Sequence, residues 1–172
     1  MQKVKISSAM ARQPFHGCEL DYIKNVCKGA CCKSSTKGAI VHILEKEKSK
    51  FSEVGIDENN LLKTKNNKCP YQNEYGLCNT HKDKPFGCIA SPFTLNKNNT
   101  LIIRNRYRLL KCYKDGNVPA YRAFYDSLKI IFGETKANII KKHLDNGGGD
   151  MNVGLDDETI KDLKEKNVMS KA

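Results

Sequence analysis

The stretch Cys27-Lys28-Gly29-Ala30-Cys31-Cys32 places three thiols within six residues, and we expect it to decide the fold. Zinc and iron both bind deprotonated sulfur, and closely spaced cysteines supply several ligands from one turn of backbone at little cost in ordering. Five more cysteines are available to close such a site: Cys18, Cys69, Cys78, Cys88 and Cys112. In a reducing compartment, thiols at close spacing are more often metal ligands than disulfides.

The segments that flank this stretch are poor in regular periodicity. Apolar residues from Ile40 to Leu44 lead into Glu45–Phe51, a pattern that predicts a strand or turn entering a short helix. The second cysteine-rich part, from Cys69 to Cys112, contains three prolines and cannot hold a long helix. Both segments have too few apolar residues to fold by packing alone, and bound metal can supply the missing folding energy.

Regular structure is predicted further along the chain. Phe93–Leu95 and Thr100–Ile103 flank a polar turn and predict a β-hairpin. Beyond Pro119, apolar residues recur at helical spacing over 121–132, and a second helix over 135–144 is expected to turn Ile139, Ile140 and Leu144 inward. The predicted fold class is therefore α+β, a small, loop-rich, metal-stapled domain with a β-hairpin and C-terminal helices.

A composition change divides the chain near its end. Asn146-Gly-Gly-Gly149 stops the second helix, and residues 150–172 hold six acidic residues and four lysines, whereas the whole chain carries a net charge of +11. We expect residues 1–146 to form a cysteine-cluster metal-binding domain with C-terminal helices. Residues 147–172 are expected to be a flexible linker and an acidic tail.

Composition also limits the function classes. No stretch approaches the roughly 18 apolar residues of a membrane span, and no secretory leader is evident. We therefore expect a cytoplasmic protein that does not associate with a membrane. The sequence contains no phosphate-binding loop, no nucleophile elbow and no zinc-protease helix. The positive net charge favours phosphate-rich or acidic partners, although lysines on a solvated surface explain the same excess.

The candidate metal ligands are seven cysteines: Cys27, Cys31, Cys32, Cys69, Cys78, Cys88 and Cys112. Cys18 and His81 are further candidates, because Cys18 lies nine residues before Cys27 and His81 lies three residues after Cys78. Adjacent residues in extended backbone point in different directions, so Cys31 and Cys32 are expected to serve two ions, or one is expected to bind while the other packs or is redox-active. A disulfide scaffold and a set of unrelated buried thiols are the alternatives.

These residues resemble a known family. The resemblance rests on the order and spacing of four segments: Cys27-Lys-Gly-Ala-Cys-Cys32, Cys69-Pro-Tyr71, Cys78-Asn-Thr-His-Lys-Asp-Lys-Pro-Phe-Gly-Cys88 and Ile89-Ala-Ser-Pro-Phe93. They are similar to the YkgJ-type cysteine-cluster family, whose domain is described as chelating zinc or iron, and in which a later cysteine, here Cys112, follows a hairpin. The chain differs from the usual pattern by one extra residue before Cys31 and by Lys84 in place of an arginine. The resemblance implies metal chemistry and no particular reaction.

A second group of residues points outward. If residues 100–113 form one strand, Arg104, Arg106 and Arg108 share a face, and residues 93–114 contain six bases and no acid. Three guanidinium groups at that spacing could follow a phosphate backbone or bind an acidic protein. An exposed sheet face that charge protects from edge pairing is the structural alternative.

The sequence therefore leaves three functions open. The first is a metal-binding protein whose zinc or iron is at least partly structural. The second is an iron-sulfur redox or modifying enzyme that acts on a macromolecule, and the third is a nucleic-acid-binding module on a metal scaffold. Whether the protein is an enzyme is not decided by its sequence, and neither is its oligomeric state.

Overall fold

The computed structural model describes residues 1–32 and 41–168, without the side chains of His81 and residues 166–168. The chain divides into two compact units, Cys18–Cys88 and a second one formed by Met1–Gly17 with Ile89–Ala172. We call them the cysteine unit and the sheet unit. Helices and strands occur together, so the predicted α+β class is confirmed.

Among the described residues, the strands all belong to the sheet unit. In chain order they are β1 (Gln2–Ile6), β2 (Pro14–Phe15), β3 (Phe93–Leu95), β4 (Thr100–Ile103), β5 (Val118–Pro119) and β6 (Met151–Leu155). The α-helices are α1 (Ser8–Ala11), α2 (Leu20–Tyr22), α3 (Phe86–Ile89), α4 (Ala120–Ala123), α5 (Tyr125–Phe132), α6 (Glu134–Asp145) and α7 (Asp157–Val168). Short 3-10 segments occupy Ala30–Cys32, Glu45–Val54, His81–Asp83 and Asn105–Leu109.

The main sheet has four strands in the order β3-β4-β1-β6. β3 and β4 form the predicted hairpin, in which Phe93 pairs with Ile103 and Leu95 with Leu101. β1 runs parallel to β4 and antiparallel to β6, so the sheet is mixed. β2 and β5 pair in a separate two-stranded sheet.

The central strand β1 was not predicted from the sequence, although its signal is present. Lys3, Val4, Lys5 and Ile6 alternate polar and apolar residues, and only Val4 and Ile6 are buried. A period of two places both apolar side chains on one face of a strand. The alternation is short, because it covers a single five-residue strand.

The predicted helices beyond Pro119 are confirmed as α4, α5 and α6. Gly133 ends α5 and precedes α6, and its φ of 77° is a backbone conformation that glycine adopts without a steric penalty. Ile140 and Leu144 are buried as expected, but Ile139 is 54% exposed and its inward placement was wrong. Successive residues on a helix differ by about 100°, and the buried side of α6 runs through Ala137, Ile140 and Leu144, which leaves Ile139 beside it.

The expected linker and acidic tail instead contain a strand and a helix. β6 pairs with β1 along its full length, from Gln2 opposite Leu155 to Ile6 opposite Met151. α7 packs against β3, where the Thr94 hydroxyl donates to the Leu163 carbonyl oxygen at 3.0 Å. The helix starts after Asp156, whose carboxylate accepts from the Thr159 N–H at 2.8 Å. The last four residues of that expected tail lie outside the described residues.

The cysteine unit has no strand longer than an isolated bridge in its described residues. Its apolar cluster consists of Val41, Ile43, Phe51, Leu62 and Cys69, with Cys32, Val54, Ile56, Tyr71 and Cys88 packed against it. The expected strand or turn at 40–44 is a single bridge at His42, followed by the 3-10 segment Glu45–Val54, while Ile40 lies outside the described residues.

Candidate metal centre

The opening cysteine stretch is a tight turn between two short helical segments. α2 continues into a π-helical turn, Ile23–Cys27, which Lys28 closes by donating its N–H to the Ile23 carbonyl oxygen at 2.8 Å. Lys28 and Gly29 both have positive φ values, 52° and 62°, which reverse the chain before Cys31. Cys31 and Cys32 then lie on a 3-10 segment and not on extended backbone, and whether they serve two ions stays a prediction.

The second cysteine segment is joined to the first through the backbone. The Cys69 N–H donates to the Cys32 carbonyl oxygen at 3.1 Å. Gln72 pairs across an antiparallel bridge with Cys78, which closes the loop that begins at Cys69. These bonds bring Cys32, Cys69 and Cys78 into one part of the cysteine unit.

Gln72 and Gly76 hold the two segments together, and sequence reasoning missed both. The Gln72 side-chain amide donates to the Gly29 carbonyl oxygen at 2.9 Å and to the Gly76 carbonyl oxygen at 3.3 Å. Gly76 has a φ of 83°, and a Cβ there would lie 2.5 Å from the carbonyl carbon of Lys28. The backbones approach so closely that only glycine fits. The only sequence signal for this contact was the presence of a glycine, Gly29 or Gly76, in each of the two cysteine segments.

Cys88 is positioned by a carboxylate from another segment. Glu47 accepts hydrogen bonds from the N–H of Phe86 at 2.8 Å and from the N–H of Leu44 at 3.1 Å. Phe86 begins α3, and the Cys88 N–H donates to the Pro85 carbonyl oxygen at 2.8 Å. Glu47 therefore fixes the start of the helix that carries Cys88.

The thiols differ in burial, and their surroundings shift their pKa values. Cys69 is buried, Cys27, Cys32, Cys78 and Cys88 are half-buried, and Cys18 and Cys31 are exposed. Burial raises the pKa of Cys69, and backbone N–H groups of Tyr71 and Gln72 lower it by hydrogen bonding to the sulfur. Such N–H groups stabilise a thiolate ligand once a metal has displaced the proton.

Cys31 and Cys32 interact directly. A hydrogen bond between their side chains raises the pKa of Cys32 above its ordinary value, and burial and the charges of Cys88 and Cys69 act in the same direction. Several thiolates therefore cannot coexist here without a cation to balance them. A divalent metal bound by these thiolates would supply that charge.

Cys18 belongs to this group of thiols more closely than its position in the sequence predicts. Protein packed around its sulfur raises the pKa of Cys18 to about 11, although the residue as a whole is exposed. The charges of Cys31 and Cys27 raise the pKa further, whereas the positive charge of Lys84 lowers it. The positive charge of Lys84 therefore acts on these thiols.

The remaining candidate ligands lie elsewhere or outside the described atoms. Cys112 belongs to the sheet unit, where its carbonyl oxygen accepts from the His16 N–H at 2.8 Å. His81 begins the 3-10 segment His81–Asp83, and its side chain lies outside the described atoms.

The expectation that residues 100–113 form one strand with three arginines on one face was wrong. β4 ends at Ile103, and Asn105–Leu109 is a 3-10 segment, so Arg104, Arg106 and Arg108 do not alternate along a strand. Arg104 is buried, at 7% exposure, while Arg108 is exposed. Basic residues at alternate positions occur in a 3-10 helix as well as in a strand, so the pattern did not distinguish the two.

Within residues 1–32 and 41–168, no three Cys, His, Asp or Glu side chains are already arranged around one ligand position. The donors nevertheless fit zinc or iron chemically, because sulfur ligands select these metals over calcium or magnesium. Seven of the eight cysteines lie in one unit, and none of the eight is joined in a disulfide.

These features define a cysteine-cluster domain of the metal-chelating type. A family model, CxxCxxCC, described as "Putative zinc- or iron-chelating domain", matches residues 23–108. The chain belongs to this family, as its resemblance had indicated. The matched region includes Cys27 and Cys88 but excludes Cys18 and Cys112. No curated protein and no solved structure matches the chain. No helix of the described residues has the length and apolar character to span a membrane.

Proposed function

We propose that the cysteine unit binds zinc or iron through thiolates and that the bound metal completes its folded core. The observation that carries this proposal is the composition of the apolar cluster, in which Cys69 is buried and Cys32 and Cys88 pack at the edge. Thiols thus occupy positions that apolar side chains take in an ordinary core. A metal bound by those thiols would join segments that few other contacts connect.

The metal's role in this proposal is structural. Thiolates give zinc or mononuclear iron a tetrahedral site, and metal binding of this kind contributes directly to folding. The protein orients the donors: Gln72 ties Gly29 to Gly76, and Glu47 fixes the segment that carries Cys88. A reducing compartment such as the cytoplasm belongs to the same proposal, because thiols there persist as metal ligands.

Metal and sulfide analysis of the full chain tests this function. We expect at least one equivalent of zinc or iron, reduced in Cys69→Ser together with the melting temperature. Ile139→Ser, at an exposed position of α6 in the sheet unit, is the control and should retain both. Metal-free, fully folded wild-type protein contradicts the proposal. Iron with an equal amount of acid-labile sulfide would identify the iron-sulfur alternative and replace the mononuclear site.

A second candidate function rests on a basic surface of the sheet unit. Arg108, Lys111 and Lys114 are exposed beside Leu109, whose exposure is 88%, and no acidic residue occurs from 93 to 114. We propose that this surface, residues 105–114, binds nucleic acid through its phosphates. Arg104 is not part of it because its side chain is buried.

Salt-dependent binding to a random DNA duplex tests the basic surface. Replacing Arg108, Lys111 and Lys114 with alanine should weaken binding at least tenfold and reduce its dependence on salt, because fewer counterions are released. The control replaces Lys63, Lys65 and Lys68, three exposed lysines of the cysteine unit, and removes the same charge. Equal losses in both variants would mean that net charge alone drives binding, and no loss would remove this candidate.

A further inference from the structure

The basic surface of residues 105–114 carries one large apolar side chain that lies almost entirely in solvent. Leu109 is 88% exposed and lies in the sequence between Arg108 and Lys111, which are also exposed. Single exposed apolar residues are common on protein surfaces, so exposure alone assigns no role to Leu109. The backbone that carries it and the side chains around it supply the further evidence.

The backbone around Leu109 is fixed at both ends and along its length. The Arg104 N–H donates to the Pro92 carbonyl oxygen at 2.9 Å, and the Lys114 N–H donates to the Pro14 carbonyl oxygen at 3.0 Å. Between these anchors, consecutive i→i+3 backbone hydrogen bonds follow one another, with the N–H groups of Tyr107, Leu110 and Tyr113 as donors. Leu109 therefore projects from a braced turn, and a ligand that contacts it orders less backbone than it would in a loose loop.

The aromatic side chains of the basic surface are less available than Leu109. The Tyr113 and Phe15 ring centroids are 5.3 Å apart, and the Lys114 ammonium lies 5.4 Å from the Tyr113 centroid. Tyr107 is half-buried. Proteins that bind single strands present exposed aromatic faces, on which unpaired bases stack. This surface instead presents an aliphatic side chain, which favours a double-stranded ligand over a single strand.

Aliphatic side chains have a known use in binding to double-stranded DNA. Proteins that bend DNA insert a leucine, isoleucine, methionine or phenylalanine between neighbouring base pairs, while basic residues hold the phosphates. Arg108 and Lys111 are the basic residues that Leu109 has beside it in the sequence. One side chain suffices as such a wedge, whereas stable binding to a membrane surface takes a larger apolar face or a second anchor.

We propose, on the basis of the nucleic-acid binding proposed above for residues 105–114, that Leu109 is a wedge that enters the base stack of a bent DNA duplex. The substrate class is double-stranded DNA in which stacking is already weak, as at a mismatch or a flexible pyrimidine–purine step. Unstacking costs free energy, and less of it is needed where the stack is already disturbed. Arg108, Lys111 and Lys114 supply affinity through the phosphates, and Leu109 supplies selectivity.

Fluorescence anisotropy of the full chain with two labelled DNA duplexes tests this inference. The duplexes have the same length and charge, and one contains a central mismatched base pair. We expect the wild type to bind the mismatched duplex about tenfold more tightly than the matched one. Leu109→Ala should bind both duplexes equally, with the salt dependence of the wild type, because it removes no charge. Leu109→Met should retain the preference, because methionine also serves as a wedge.

Further variants separate the wedge from charge and from loss of folding. Lys111→Ala should weaken binding to both duplexes by the same factor, because it removes only a phosphate contact. Leu109→Lys adds a positive charge, so it should bind both duplexes more tightly and lose the preference. Leu20→Ala removes a leucine that is 55% exposed in the cysteine unit and should leave both affinities unchanged. Leu109→Ala should melt at the wild-type temperature, because its side chain lies in solvent.

The outcomes separate this inference from the nucleic-acid function on which it rests. Equal affinities of the wild type for the two duplexes, or an unchanged preference in Leu109→Ala, would overturn the wedge and leave phosphate binding intact. Leu109-dependent binding to vesicles of phosphatidylcholine and phosphatidylserine, without a preference between the duplexes, would overturn it in favour of a lipid surface. A wild type that binds neither duplex at low salt contradicts the nucleic-acid function itself.

Discussion

The sheet unit and the cysteine unit reach a folded state by different physical means. The sheet unit buries large apolar side chains between a four-stranded sheet and helices, with Phe15 and Phe93 both packed on the Phe124 ring. The cysteine unit has a small apolar cluster that includes a thiol, and its segments are joined by backbone hydrogen bonds and by polar side chains such as Gln72 and Glu47. This difference is the reason for proposing that hydrophobic burial suffices for the first unit and that the second gains stability from a bound metal.

Metal removal should produce the largest difference between the two units. Binding of a structural zinc contributes about 10–16 kcal/mol in small metal-dependent domains, as much as the whole stability of an ordinary domain. A chelator should therefore abolish amide-exchange protection within residues 41–88 and leave that of β1, β4 and α6 largely intact. Uniform protection in the presence of the chelator would show that the cysteine unit folds without metal.

Truncation after Asn146 should instead destabilise the sheet unit and spare the cysteine unit. A chain that ends at Asn146 lacks β6 and α7, so β1 becomes an edge strand and Leu155 and Leu163 no longer cover the sheet. We expect insoluble protein or a loss of sheet signal by circular dichroism. The metal content of the cysteine unit should survive in any soluble fraction. A soluble truncated chain with a normal melting temperature would show that residues 147–172 are dispensable for the fold, as a flexible tail would be.

Sequence reasoning succeeded where a pattern extends over several turns or carries special turn chemistry. The hairpin at 93–103 and the helices beyond Pro119 have such patterns, and both are confirmed. β1 and β6 are five residues each, and their pairing joins the two ends of the chain, a contact that no local pattern specifies. The only sequence signal for these two strands was the alternation of apolar positions within each of them.

The candidate site was predictable in its composition and not in its organisation. Spacing predicted a cysteine-cluster domain, which the family match over residues 23–108 confirms, while the role of each cysteine stays a prediction. It could not reveal Glu47 and Gln72, since a carboxylate or amide that bonds to a distant backbone has no local sequence signature. Cys18 was only a further candidate for the same reason, because its proximity to Cys27 and Cys31 has no local sequence signature.

A pair of adjacent isoleucines sharpens the comparison within the sheet unit. Ile140 is fully buried and Ile139 is 54% exposed, although both lie on α6. Ile140→Ala should lower the free energy of unfolding by about 2–5 kcal/mol, because it removes buried methyl groups and leaves a cavity. Ile139→Ala should change it by less than about 0.5 kcal/mol. Equal effects in denaturant titrations would contradict the described face of α6.

Gly76→Ala tests the contact between the two cysteine segments. Its φ of 83° and the 2.5 Å approach of an added Cβ to Lys28 should cost about 1–3 kcal/mol and lower the affinity for Zn²⁺. Gly149→Ala is the control, because nothing lies within 4 Å of a Cβ there. Competition with a zinc indicator measures both variants. An unaltered affinity in Gly76→Ala would show that the approach of these segments does not shape the metal centre.

The smallest expected effect concerns the ion pair that anchors β6 to the start of the chain. Lys5 donates to Asp150 at 2.9 Å, as does the Ser8 N–H, and these bonds lower the pKa of Asp150 from 3.8 to about 2. Because the folded-state pKa is depressed, the stabilisation is complete above the unfolded value and is lost as pH falls from about 4 toward 2. Asp150→Asn should therefore weaken the acid dependence of the melting temperature of the sheet unit, whereas Asp126→Asn, at a residue whose side chain is 91% exposed, should change it less. Identical acid profiles for wild type and Asp150→Asn would mean that the pairing of β6 with β1, and not this ion pair, holds the strand in place.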